Sequence, residues 1–217
     1  MMSASDILQI VEKQKILPLF YHADAEVCKG VVEALYHGGI RLVEFTNRGP
    51  EALKRFTELS ALCQSSYPEM KLAVGTITDG EDAKSFIAAG AEVLISPYWD
   101  EEVALVAKET GVVWIPGCMT PSEIHRAVKT GHELVKLFPG NVIGAGFVEA
   151  IRPVFPTAKF IVTGGVDATV AGVEKWLKAG VIAAGLGSKL INDEVLLSNN
   201  YAQLEEKVSS LLAALRS

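Results

Sequence analysis

Lys136 stands alone among apolar neighbours in Glu133-Leu134-Val135-Lys136-Leu137-Phe138-Pro139-Gly140. Side chains alternate along an extended segment, so Lys136 shares a face with Leu134 and Phe138 and leaves bulk water with them. Burial disfavours the charged form of an amine. The neutral amine attacks a ketone carbonyl, the first step of Schiff-base catalysis. The competing reading is an edge-strand lysine whose stem covers apolar surface while its head reaches solvent.

Leu42-Val43-Glu44-Phe45-Thr46-Asn47-Arg48 places Glu44, Thr46 and Arg48 on one strand face and Val43 and Phe45 on the other. If the apolar face meets helices, the charged face points inward, where a carboxylate and a guanidinium need partners or a purpose. They form either an internal Glu44–Arg48 pair or a working set, with Glu44 as acid/base group and Arg48 as a clamp for a substrate carboxylate. Thr76 ends Ala73-Val74-Gly75-Thr76, after a glycine that would let a ligand approach the backbone. Its plain alternative is a strand cap.

Two further segments end in glycine: Val162-Thr163-Gly164-Gly165-Val166 and Ala184-Gly185-Leu186-Gly187-Ser188. Such turns running into helix N-termini offer backbone N–H groups to an anion, so a phosphate is expected there. Thr120-Pro121-Ser122-Glu123 is expected to start a helix, with Thr120 as N-cap and Glu123 closing a capping box. Cys118 has no local histidine to activate its thiol and is expected to line the pocket. His22, His37, His125 and His132 lack metal-ligand spacing, and neither a metal nor a cofactor is expected.

The elements that must position these residues recur along the chain. Eight strands are expected at Ile16–His22, Leu42–Asn47, Leu72–Ile77, Val93–Pro97, Val112–Cys118, Leu134–Pro139, Lys159–Gly165 and Ile182–Ser188. Helical patterns lie between them, such as Glu26–Tyr36 and Glu51–Leu62, and Gly39, Gly90, Gly111, Gly131 and Gly180 stand where helices should stop. An amphipathic helix from Ser3 to about Gln14 leads, with Ile7, Ile10 and Val11 on one side, and a helix from Tyr201 to Leu215 closes the chain. A βα repeat of about 20 to 25 residues predicts a single-domain (β/α)8 barrel over residues 1–217, with reacting groups at the C-terminal ends of the strands. A doubly wound sheet is the alternative, but Tyr21-His22-Ala23-Asp24 makes a poor pyrophosphate loop after the first strand.

A net charge of -6 without Lys/Arg clusters argues against nucleic acid or an anionic membrane as partner. Three scattered cysteines, Cys28, Cys63 and Cys118, suit a reducing cytoplasmic setting. The opening Met-Met-Ser-Ala-Ser-Asp carries no leader pattern, and no stretch reaches the length of a membrane span.

From about Ile16 to Leu190 the chain resembles the 2-keto-3-deoxy-6-phosphogluconate aldolase family, class I aldolases that include 4-hydroxy-2-oxoglutarate aldolases. The resemblance rests on Val43-Glu44-Phe45-Thr46-Asn47-Arg48, Val74-Gly75-Thr76, Ile95-Ser96-Pro97, Ile115-Pro116-Gly117, Val135-Lys136-Leu137-Phe138-Pro139 and Thr163-Gly164-Gly165-Val166. It implies that Lys136 forms the Schiff base and Glu44 shuttles protons. It implies that Arg48 and Thr76 hold the pyruvyl carboxylate, that Thr163, Gly164, Gly165, Gly187 and Ser188 cradle a phosphate, and that Phe138 and Pro97 line the pocket. A phosphorylated keto acid and pyruvate are the implied small-molecule partners, and a homotrimer the implied assembly. Three departures bear on substrate preference: Asn47-Arg48-Gly49 replaces a Leu-Arg-Thr form, Gly140-Asn141 follows Phe138-Pro139 where relatives have alanine next, and Gly185-Leu186-Gly187-Ser188 replaces a Gly-Gly-Ser form. The rival functions are a phosphosugar isomerase or synthase, which needs no internal lysine on the sixth strand, and a non-catalytic phosphate-binding barrel, which needs neither Lys136 nor Glu44 facing inward.

Overall fold

The computed structural model describes residues 3–198 and 200–216. Met1 and Met2, part of the stretch read for a leader, lie outside the described residues. Among the described residues nine strands follow in order: β1 (Ile16–Phe20), β2 (Leu42–Thr46), β3 (Lys71–Gly75), β4 (Val93–Ile95), β5 (Val113–Ile115), β6 (Gly117–Cys118), β7 (Leu134–Leu137), β8 (Lys159–Thr163) and β9 (Ala183–Leu186). Every pairing is parallel, in the order β5-β4-β3-β2-β1-β9-β8-β7-β6. β1 lies between β2 and β9, with Ile16 opposite Ala184, so the first and last strands meet. This pairing excludes the doubly wound alternative.

Eight strands were expected and nine are found because Pro116 interrupts the fifth. Proline has no N–H to give to a ladder, so Val113–Ile115 pairs backwards with β4 and Gly117–Cys118 pairs forwards with β7. The Pro116 carbonyl still accepts from Lys136 N–H at 2.9 Å. The two ends of the sheet are therefore one kinked strand, and the barrel closes through it.

The helices follow the apolar periodicity. Those expected at Glu26–Tyr36 and Glu51–Leu62 run over Ala25–His37 and Ala52–Ser66, and the closing helix over Tyr201–Arg216. All five glycines read as helix stops have positive φ; Gly111, at φ 72, caps Glu101–Thr110 with its N–H on Ala107 O. Helix Pro121–Lys129 begins with the expected capping box between Thr120 and Glu123. No helix among the described residues is long and apolar enough to cross a membrane.

Strand alternation divides the core in two. Val43, Phe45, Leu72, Val74, Val135, Leu137, Phe160 and Val162 pack outward against the helices. Leu17, Leu42, Ala73, Val93, Ile95, Ile115, Ile161 and Ala183 fill the barrel, and Ile7 and Val11 of helix Ala4–Gln14 join them from below. Gln14, buried at the end of that helix, donates to Ile16 O and Leu42 O and accepts from Arg41 N–H and Leu42 N–H. Its side chain ties the leading helix across the barrel floor with every polar atom used.

Candidate active site

Two residues along from the apolar filling, the inward positions become polar. Leu42 gives way to Glu44, Leu134 to Lys136 and Ile161 to Thr163, by strand alternation alone. Lys136 Nζ lies 3.3 Å from Glu44 Oε1, and the two side chains are 6% and 1% exposed. The snorkelling reading of Lys136 therefore fails: its strand sits between β6 and β8, and its head is held inside. Ninety-two residues of sequence separate the pair. An amine and a carboxylate out of water stay together because neither has comparable solvation elsewhere. The second carboxylate oxygen, Oε2, is buried with no hydrogen-bond partner among the described residues. The Lys136 ammonium also lies 5.6 Å from the centroid of the half-buried Phe138 ring.

Glycines make this polar layer possible. A Cβ on Gly75 would collide with the carboxylate of Glu44, and one on Gly185 with the hydroxyl of Thr163. The sequence reading assigned the space at Gly75 to an approaching ligand; Glu44 itself takes it, because the side chain leans from β2 across β3. Gly75 is thus a functional position that sequence reasoning missed as such. Its signal was a glycine inside a strand, which marks a close approach. The following residue, Thr76, is half-buried with φ 63. A β-branched residue in the left-handed region is strained, and such strain concentrates at functional sites.

Arg48 departs from expectation. It was placed on the inward charged face, but β2 ends at Thr46 and the Arg48 side chain is exposed beyond it. Glu44 is paired with Lys136, so the internal Glu44–Arg48 pair is not formed. Thr46 remains inward and buried, its hydroxyl donating to Phe20 O at 3.3 Å. Asn47 anchors the loop that carries Arg48: its N–H donates to Gly75 O at 2.8 Å and its carboxamide to Asp82 Oδ2 at 2.7 Å. Burial, with Asp79 nearby, pushes the Asp82 carboxyl up despite that bond.

The glycine turns also differ in part from expectation. Gly164 and Gly165 have φ 105 and 72, but the next helix, Val170–Ala179, starts later with Thr169 as its N-cap. After Gly187-Ser188 the chain makes a turn in which Leu190 and Ile191 donate to Gly187 O. Neither turn enters a helix directly, so helix dipoles do not supply the positive field. Backbone amides can: among the described residues the N–H groups of Gly165, Gly187 and Ser188 donate no hydrogen bond. Thr163 is 6% exposed, with its hydroxyl unpartnered, while Ser188 is exposed and Pro97 half-buried.

Cys118 was expected to line the pocket. It is buried in the outer core between strands and helices, because it lies one residue past inward-facing Gly117 and so points the other way. Burial pushes its thiol up to about 12.

The layer thus combines a buried amine, a carboxylate with one uncommitted oxygen and, at the same end of the barrel, an anion-ready pair of turns. The family described as KDPG and KHG aldolase matches residues 7–207. The chain belongs to that family. Among curated relatives of this aldolase family, a 2-dehydro-3-deoxy-phosphogluconate aldolase of Treponema pallidum is 27% identical over 199 residues, covering 91% of this chain and 92% of that one. A 2-dehydro-3-deoxy-6-phosphogalactonate aldolase of Escherichia coli is 29% identical over 161 residues, 73% and 76% of the two chains. The solved KDPG aldolase of Legionella pneumophila, with pyruvate captured as a covalent carbinolamine, superimposes with TM-score 0.84 at 27% identity, over 93% of this chain and 96% of that one.

Proposed function

We propose that the protein is a class I aldolase that reversibly cleaves 2-dehydro-3-deoxy-6-phosphogluconate to pyruvate and D-glyceraldehyde 3-phosphate. The observation that carries this reading is the buried Lys136–Glu44 pair, 3.3 Å apart at the C-terminal end of the barrel. The amine of Lys136 attacks the C2 ketone, giving a carbinolamine; loss of water gives an iminium. Glu44 supplies and removes the protons of these steps, and then takes the proton of the C4 hydroxyl. The C3–C4 bond breaks as the C4 oxygen becomes the aldehyde carbonyl, and its electrons pass into the iminium to form an enamine. Protonation at C3 and hydrolysis release pyruvate and restore the free lysine. Arg48 and Thr76 hold the pyruvyl carboxylate, so orientation removes part of the barrier. The N–H groups left open at Gly165, Gly187 and Ser188 receive the phosphate, which favours a phosphorylated substrate over 4-hydroxy-2-oxoglutarate. The galactonate-derived epimer is the alternative named by the E. coli relative. The same proposal makes the protein a cytoplasmic homotrimer.

Borohydride reduction in the presence of pyruvate, followed by peptide mass spectrometry, tests the reading. The expected result is a stable pyruvyl adduct on Lys136, absent in Lys136→Ala along with turnover. Folded wild-type protein that forms no adduct, or Lys136→Ala with wild-type turnover, overturns it.

A further inference from the structure

The short helix Gly140–Ile143 that follows β7 and the turn that follows β8 are docked backbone to backbone. A Cβ on Gly140 would lie 2.7 Å from Val162 Cγ2 and 2.8 Å from Gly164 O, and one on Gly164 would lie 3.1 Å from Gly140 N. Only glycine at both positions permits this approach. The consequence falls on Asn141: its Cβ lies 2.5 Å from where a Cβ of Gly165 would be, and its Oδ1 3.5 Å from that of Gly164. The Asn141 side chain therefore lies against the double-glycine turn. It is exposed, and among the described residues its carboxamide makes no hydrogen bond. The buried Thr163 hydroxyl, at the start of the same turn, has no partner either, and the Gly165 N–H is likewise unused.

We infer that Asn141 is a specificity-determining residue whose carboxamide completes the anion site over Gly164 and Gly165 and selects substrates that end in a phosphate. The inference rests on the proposed phosphate site and adds to it a side chain at the place where this chain departs from the Phe-Pro-Ala form of the family. The Asn141 atom nearest Gly164 is the carboxamide oxygen, but the side chain is exposed and, among the described residues, makes no hydrogen bond that fixes it. A half-turn of the amide presents its N–H donors, which with the free Gly165 N–H suit the several acceptor oxygens of a phosphate. The geometry also links the two ends of the substrate. Lys136 lies in β7 and Asn141 in the short helix Gly140–Ile143 that follows after Phe138-Pro139. The element that carries the lysine leads directly to the carboxamide, and on this inference a substrate bonded to the lysine meets it with its far end.

The test compares kcat/KM for 2-dehydro-3-deoxy-6-phosphogluconate and for its unphosphorylated counterpart in wild-type, Asn141→Ala and Asn141→Asp proteins. Wild type is expected to prefer the phosphorylated substrate. Asn141→Ala lowers that preference about tenfold, through KM rather than kcat, the scale of one hydrogen bond to a charged group. Asn141→Asp lowers it further by setting a carboxylate against the phosphate. An unchanged ratio in both variants, or equal losses on both substrates, overturns the assignment of Asn141. A wild type without preference removes the phosphate site itself and Asn141's role with it, while the Lys136 adduct remains a separate question.

Discussion

The two halves of the barrel interior are built by the same strand faces and differ in kind. The lower half is hydrocarbon, Leu17, Leu42, Ala73, Val93, Ile161 and Ala183, sealed by Ile7 and Val11. One pleat higher stand Glu44, Lys136 and Thr163, with Gly75 leaving room for Glu44 and Gly185 for Thr163. The lower half contributes stability through burial of apolar area. The upper half takes two charges out of water, which costs several kcal/mol per ion before their mutual attraction offsets it. An exposed pair shows that environment, not distance, sets this contrast. Lys178 and Glu174 approach to 2.6 Å at 76% and 41% exposure, yet such surface pairs contribute at most about 1 kcal/mol. Lys136 and Glu44 are farther apart but cannot turn to solvent. The lower layers make the barrel rigid enough to hold the upper layer where its chemistry is useful.

The sharpest way to break this contrast is to remove the room in the upper half. Gly75→Ala drives a methyl group into the Glu44 carboxylate and is expected to lower kcat by about a hundredfold or more through misplacement of that group. Pyruvate-dependent borohydride trapping on Lys136 should still occur but more slowly, since Glu44 also moves the protons of imine formation, and steady-state kinetics with timed trapping would separate the two effects. Wild-type kcat in this variant would mean that the carboxylate has space elsewhere.

The converse change, in the lower half, should act on stability alone. Leu17→Ala deletes a fully buried side chain from the apolar filling and is expected to cost about 2 to 5 kcal/mol. Denaturant unfolding would measure it, with kcat retained below the new midpoint.

The smallest expected effect is a pH dependence at the lower end. His132 precedes β7 and packs between Trp114, at 5.0 Å, and Trp99, at 5.7 Å. Desolvation holds it below its ordinary value of 6.5, against a raising hydrogen bond to the Trp114 backbone. The unfolded chain therefore binds the proton more readily than the folded one. Stability from this group is complete above pH 6.5 and is lost as pH falls through the lower folded value. Melting curves from pH 7.5 to 5 should show a steeper decline for wild type than for His132→Phe, with no matching change in the pH profile of kcat.

Much of this was legible from residue order. Period-two alternation put Lys136 and Glu44 on inward faces, and the glycine stops bounded the helices. These are local properties, carried by a few neighbouring residues. Pro116 was also visible, but its effect, dividing one strand between two neighbours, depends on which strands lie beside it. Arg48 was misplaced because alternation was extended past Thr46, where the strand ends and its rule no longer applies. Cys118 was misplaced for the converse reason: alternation from inward Ile115 runs on through Gly117 and puts Cys118 on the outer face, and the sequence reading did not apply it there.

By itself the sequence determined the barrel, the inward lysine and glutamate, and the five glycines that stop helices, because these follow from spacing, propensity and φ. Tertiary structure alone decided that the lysine and glutamate are each other's partners across 92 residues of chain. It also decided that Gly75 makes room for Glu44 rather than for a ligand, and that Asn141 lies over the Gly164–Gly165 turn. The physical reason is common to all three. Each is a contact between strands or turns distant in sequence, and its distance is set only when the barrel closes.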